Sequence, residues 1–376
     1  MNLPYSEDLP IGKLSRIFDN TSECYKFFWY QAILNQVMDE QYTMRFEDLI
    51  DEMISNAWYM VTEYHLNLGP SDTLEKCVIL MQERSSLQTN EKKQRILRWL
   101  RESDDPDIKK HKKTLINMVP YRLLAPFTEL HEKSGGWKSR KSDLIARLNE
   151  YSEALYYFGE YRGLDTELTI RPEWAEYFRQ NEQIIEGWLE YKLIEYLQKR
   201  NPSVPGIIDK LRPPEERKLE AVKKFYRAVI GLHPIRDIYT GEKLAEESDL
   251  SIDHFIPWSY VAHDELWNLN PTERSVNSSK GNNLPKWDRY FKLLGQQEYE
   301  MNQLIWINDT VHRSFESCAQ KNLNDIRIRE SLYRRDISES EFKQKLEEII
   351  RPEYNAAKRC GFREWDNDRQ IIEQND

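Results

Sequence analysis

Ser251-Ile252-Asp253-His254-Phe255-Ile256-Pro257-Trp258, then Trp267-Asn268-Leu269, then Arg274-Ser275-Val276-Asn277-Ser278-Ser279-Lys280, is the stretch that sets the reading of this chain. Neighbouring side chains in an ideal strand point to opposite faces. Asp253 and His254 therefore cannot serve one site from the middle of a flat strand. They are expected where a strand ends and turns, and Pro257 soon after agrees with this. Gly241 marks an earlier turn, and Asn268-Leu269 suits a second strand or the approach to it. A helix is expected from Arg274 to about Lys280, with Thr272 as its N-cap. Asn277 and Lys280 are three apart and share one helix face.

Asp-His-x-x-Pro, Asn-Leu and Asn-x-x-Lys, in this order and spacing, resemble the HNH endonucleases, also called ββα-metal nucleases, over roughly 235–284. The resemblance implies a role for each position. Asp253 matches the acidic metal ligand and Asn277 the final metal-ligating position. His254 matches the general base. Asn268 matches the middle asparagine, which braces the loop and orients the base. Lys280 falls where the family places a basic residue near phosphate. These residue types suit phosphodiester hydrolysis. Mg2+ or Mn2+ accepts hard oxygen ligands and keeps several waters, so one carboxylate and one amide oxygen suffice. A histidine takes a proton from water near neutral pH.

Many family members also carry two C-x-x-C pairs that bind a structural zinc. The corresponding positions here are Asp237, Thr240, Glu273 and Val276. Tetrahedral zinc sites are built from thiolates and imidazoles, so no structural zinc is expected. Packing of Ile235, Ile238, Tyr239, Leu244, Ile256, Trp258 and Leu269 is expected to stabilise the core instead.

Around this segment the chain reads as helical. Apolar residues recur at helical spacing over 25–37, 46–60, 173–199 and 338–350, the last ending near Pro352. Asp72 with Glu75 resembles a capping box. Ser134-Gly135-Gly136 marks a loop, and Pro202, Pro205, Pro213 and Pro214 mark a boundary before a helix over 215–229. The expected fold is mainly α with a small α+β module. It comprises a helical domain (1–200) for substrate or partner recognition, a proline-rich linker (201–214), a ββα-metal HNH core (215–295) and a helical C-terminal region (296–376).

Composition narrows the class. The 376 residues are 39% hydrophobic with 11 Trp and 21 Tyr, too rich in packing residues for a disordered chain. Mean hydropathy is −0.79, and no run approaches the roughly 18–20 apolar residues of a membrane span. The first residues lack a basic start followed by an apolar run, so no secretory signal is expected. Cys24, Cys77, Cys318 and Cys360 form no C-x-x-C, which fits a reducing, cytoplasmic setting. The net charge of −10 weighs against a general nucleic-acid coat protein. It leaves room for a nuclease with a local basic groove and bound cations.

The leading expectation is an endonuclease acting on DNA and leaving a 5′-phosphate. A nucleic-acid- or protein-binding subunit whose HNH core is silent alone, with a protein partner on the helical N-terminal region, stands beside it. So does an RNA-cleaving toxin. The wider pattern resembles bacterial HNH proteins and points to defence against foreign DNA. Other polar residues read more simply: His263 as a surface residue, His233 as a turn residue, Glu246 and Glu247 as solvent-facing. Lys109-Lys110-His111-Lys112-Lys113 reads as a solvated face rather than a phosphate contact, as does Trp137-Lys138-Ser139-Arg140-Lys141. The N-terminal Trp and Tyr residues read as core.

Overall fold

The computed structural model describes residues 2–128, 137, 139–213, 219–245 and 248–367. The Ser134-Gly135-Gly136 loop, Lys138, Pro214, the start of the helix expected at 215, and Glu246 and Glu247 lie outside the described residues. The chain is mainly helical with small sheets. It divides into two compact units, Met1–Pro202 with Lys210–Pro213, and Ser203–Asp209 with Pro214–Asp376.

The first unit runs α1 (Ile11–Leu14), α2 (Tyr25–Met38), β1 (Thr43–Arg45), α3 (Phe46–Thr62), α4 (Thr73–Arg84), α5 (Lys93–Glu102), α6 (Pro106–Leu115), α7 (Val119–Arg122), α8 (Lys141–Asn149), β2 (Tyr156–Phe158), β3 (Glu167–Ile170), α9 (Pro172–Gln180) and α10 (Glu182–Arg200). In α2 and α3 burial extends well beyond a single stripe, and Trp29, Trp58, Trp174 and Trp188 are fully buried. A helix that is apolar nearly all round lies at the centre of a unit. The Asp72 side chain caps α4 by accepting from the Glu75 amide at 2.8 Å. Glu75 does not close the box, because its carboxylate takes the Leu68 amide at 2.7 Å.

The structure departs from the sequence reading in four places. The run over 173–199 is two helices, because the Asn181 side chain bonds the Tyr177 carbonyl at 2.9 Å and the backbone breaks there. An antiparallel sheet, β1-β3-β2, interrupts the helices. Its strands of three or four residues are too short for a period of two to register. Within the basic run on α6, Lys112 is buried and its ammonium lies 2.6 Å from Asp51. Burial pushes the Asp51 carboxyl up to about 6, against the pull of Lys112. Trp137 is also buried, at 7% exposure, and not offered for stacking.

The second unit contains α11 (Glu220–Leu232), β4 (Leu250–His254), α12 (Trp258–Val261), β5 (Leu269–Glu273), α13 (Arg274–Lys280), β6 (Leu284–Pro285), α14 (Trp287–Ile307), α15 (Asp309–Asn322), α16 (Ile326–Leu332), α17 (Glu339–Arg359) and β7 (Glu364–Trp365). The antiparallel pair β4-β5 followed by α13 forms a ββα unit. The C-terminal residues pack on it: β7 pairs in parallel with β6, and Tyr239, Tyr290 and Trp365 cluster edge to face and stacked. Of the expected core, Ile235, Ile238, Tyr239, Leu244, Ile256 and Leu269 are buried, whereas Trp258 at the start of α12 is only half-buried. Pro352 does not end α17, which continues to Arg359. Pro352 is exposed, so water can reach the Glu348 carbonyl that loses its amide donor.

A buried polar chain ties the ββα unit to its helices. The Tyr226 hydroxyl lies 2.6 Å from the Leu269 carbonyl and 3.0 Å from Glu298 Oε1. A phenol has one proton, so a protonated Glu298 lets both contacts be made. Burial pushes the Glu298 carboxyl up to about 8. A carboxyl whose folded pKa is raised contributes stability below its unfolded pKa and loses it as pH rises through the folded value. Stability should therefore fall between about pH 5 and 9 by on the order of a few kcal/mol. Glu298→Gln should flatten that slope. Urea midpoints measured across this range test it, and an unchanged slope in Glu298→Gln would refute the assignment.

Candidate active site

β4 ends at His254, with Asp253 opposite Asn270 and His254 opposite Leu269. The chain turns immediately afterwards, and the turn is held by Asn268, the residue before β5. The Phe255 amide donates to the Asn268 carbonyl at 2.8 Å. The Asn268 side chain, fully buried, accepts from the Ile256 amide at 2.8 Å and donates to the Ile256 carbonyl at 2.9 Å. Both ends of the amide are thus spent on one residue of the turn. An asparagine can do this because it carries a donor and an acceptor side by side.

α13 lies against β4 and presents two side chains to it. Lys280, with no exposed surface, donates to Asp253 Oδ1 at 3.0 Å and to the His254 carbonyl at 2.7 Å. Its ammonium is thus turned toward the strand end and away from solvent. Burial pushes the Lys280 pKa down and the Asp253 carboxylate opposes this. The other Asp253 oxygen accepts from the Tyr239 hydroxyl at 2.6 Å. Burial, reinforced by that carboxylate, holds the Tyr239 pKa well above normal, so the phenol keeps its proton and donates. Asn277, one turn before Lys280 and half-buried, donates through Nδ2 to Ser251 Oγ at 2.7 Å and to the Ile252 carbonyl at 3.2 Å. Both bonds use Nδ2, which fixes the amide orientation and leaves Oδ1 out of them.

His254 is 6% exposed, and its Nε2 lies 2.8 Å from Asp264 Oδ1. Asp264 sits in the loop between α12 and β5. The sequence reading passed over it, as it passed over the polar role of Tyr239. Neither belongs to the Asp-His, Asn-Leu or Asn-x-x-Lys pairs, and only the folded chain brings them to the site. His263, its neighbour, is half-buried against Trp267, with ring centroids 5.3 Å apart.

Asp237 and Glu273, at two of the positions where the sequence resemblance implies cysteines in zinc-binding versions, are joined by a hydrogen bond. Buried Asp237 accepts from the Tyr239 amide at 2.8 Å with one oxygen. With the other it accepts from the Thr272 hydroxyl at 2.6 Å and the Glu273 amide at 3.3 Å. Thr272 is therefore not the N-cap of α13; that position is Glu273, and no side chain caps it. Among the described residues, no group of three or more His, Cys, Asp or Glu is placed to hold a metal ion.

A family model described as HNH endonuclease matches residues 237–286. No curated protein and no solved structure matches the chain. The matched segment contains the turn at Asp237, the β4-β5 pair and α13. HNH nucleases generally use divalent metal ions. Residues 237–286 thus form an HNH-type module within the chain.

Proposed function

We propose that this protein is a metal-dependent endonuclease that hydrolyses phosphodiester bonds, with DNA as its substrate. The observation that carries the reading is the convergence of Asp253 and His254 at one strand end with Asn277 and Lys280 on the helix packed against it. The donor set fits a hard cation. Asp253 already takes an ammonium on Oδ1, and the Asn277 amide adds a second oxygen suited to Mg2+ or Mn2+. Bound there, the ion supplies charge stabilisation at the phosphate. His254 takes the proton of the attacking water at Nδ1, since Nε2 faces Asp264. Asn268 holds the turn that sets the height of the His254 ring. Lys280 keeps the Asp253 carboxylate aimed.

Supercoiled plasmid is expected to be cut in Mg2+ or Mn2+ and left intact in EDTA, with activity returning when either ion is restored in excess. Cutting undiminished by EDTA would remove the metal from the reading. A parallel RNA substrate separates DNA from RNA cleavage.

One observation favours a second reading, a binding protein whose HNH core is silent alone. Both oxygens of Asp253 are engaged by protein groups. Loss of all cleavage in the same assay, with retained DNA or protein binding, would select it.

A further inference from the structure

We infer that Asp264 is the positioning residue for His254, and that it is held in place by residues beyond the HNH-matching segment. The inference rests on the nuclease reading only for its catalytic consequence. An imidazole has two neutral tautomers and a rotatable ring, and a carboxylate at one nitrogen removes both freedoms. Asp264 Oδ1 at 2.8 Å from Nε2 places the proton on Nε2 and the lone pair on Nδ1. The loop is shaped for this contact. Ala262 ends α12 at φ 55°, a left-handed conformation costly for a residue with a Cβ. That bend returns the chain toward a histidine ten residues earlier.

The loop is then clamped from the end of α15. The Asn322 side chain donates to the Asp264 carbonyl at 2.9 Å. Glu265, 8% exposed, accepts the Asn324 amide with both oxygens at 3.1 Å and the Asn324 side chain at 2.6 Å. Asn322 and Asn324 lie outside residues 237–286. The C-terminal helices thus help to set the orientation of a ring on β4. They are part of the centre and not an appendage to it.

The test pairs kinetics with a spectroscopic signature, using the full chain. Long-range 1H–15N spectra give the His254 tautomer, assigned among the 7 histidines by comparison with His254→Gln. Asp264→Ala is expected to lower kcat about 10–100-fold, leave KM unchanged and lose the uniform Nε2–H signature. Asp264→Asn, whose amide oxygen can still accept from Nε2–H, is expected to keep that signature and most of kcat. Asn322→Ala should move both readouts in the same direction by less. Wild-type kcat or a retained Nε2–H tautomer in Asp264→Ala overturns the inference. So does an Asp264→Asn as slow as Asp264→Ala with its tautomer intact. If the wild-type protein cuts nothing, the nuclease reading falls alone. The tautomer in Asp264→Ala still decides whether Asp264 positions His254.

Discussion

His254→Ala is expected to slow plasmid cleavage by about 10²–10⁴-fold while leaving the fold in place. The argument runs from the position of the ring. His254 closes β4, and its backbone is held independently of its side chain. The carbonyl takes the Lys280 ammonium at 2.7 Å, and the next amide is bound to Asn268 at 2.8 Å. Truncating the ring therefore removes the proposed proton acceptor without releasing the turn. Among the bonds lost is the one to Asp264, whose side chain is 28% exposed and can be rehydrated. The stability cost should stay near 1–2 kcal/mol, within the range of ordinary single substitutions. The rate is read under saturating substrate and Mg2+, with the urea midpoint as control. Cleavage equal to that of the wild type would take His254 out of the mechanism.

How much of this could be read from the sequence follows from the range of the interactions. The ββα order was legible because its signals are local. Asp253-His254 had to stand at a strand end, Asn268-Leu269 had to lead the second strand, and Asn277 and Lys280 had to share a helix face. What the sequence hid is set by distance along the chain. Tyr239 reaches Asp253 across 14 residues, Asp264 reaches His254 across 10, and Asn324 reaches Glu265 across 59. No spacing rule links such pairs. Lys280 is a different case. A lysine three residues after an asparagine reads as a surface cation, and only packing against β4 reveals that it has no exposed surface. The misread helix ends share a cause too: Asn181 and Pro352 act through hydrogen bonds and exposure that residue type alone does not fix.

Asp253→Ala should cost both activity and stability, and the two losses should separate. Asp253 and Lys280 are 3% and 0% exposed at 3.0 Å. Removing one partner of such a pair leaves a charge stranded in the interior, at about 3–5 kcal/mol. The Tyr239 hydroxyl loses its 2.6 Å acceptor as well, adding about 1–3 kcal/mol. Asp253→Ala should therefore unfold at markedly lower urea and lose cleavage. Lys280→Met placed on top removes the stranded ammonium and fills its volume. Stability should recover by several kcal/mol, on the order of the first loss, because a buried ion pair replaced by apolar groups is close to neutral. Cleavage should not recover, since no carboxylate remains to hold a cation. A double variant that regained both would show that Asp253 serves only as the counterion of Lys280. If the double variant is no more stable than Asp253→Ala, the pair is not coupled in the way its geometry demands. With Asp253 in the proposed role of cation ligand, the arrangement gives the costly buried lysine a purpose. With Tyr239 and Lys280 on its two oxygens, the Asp253 carboxylate is fixed in direction before any cation arrives, so the ordering cost is met during folding and not during binding.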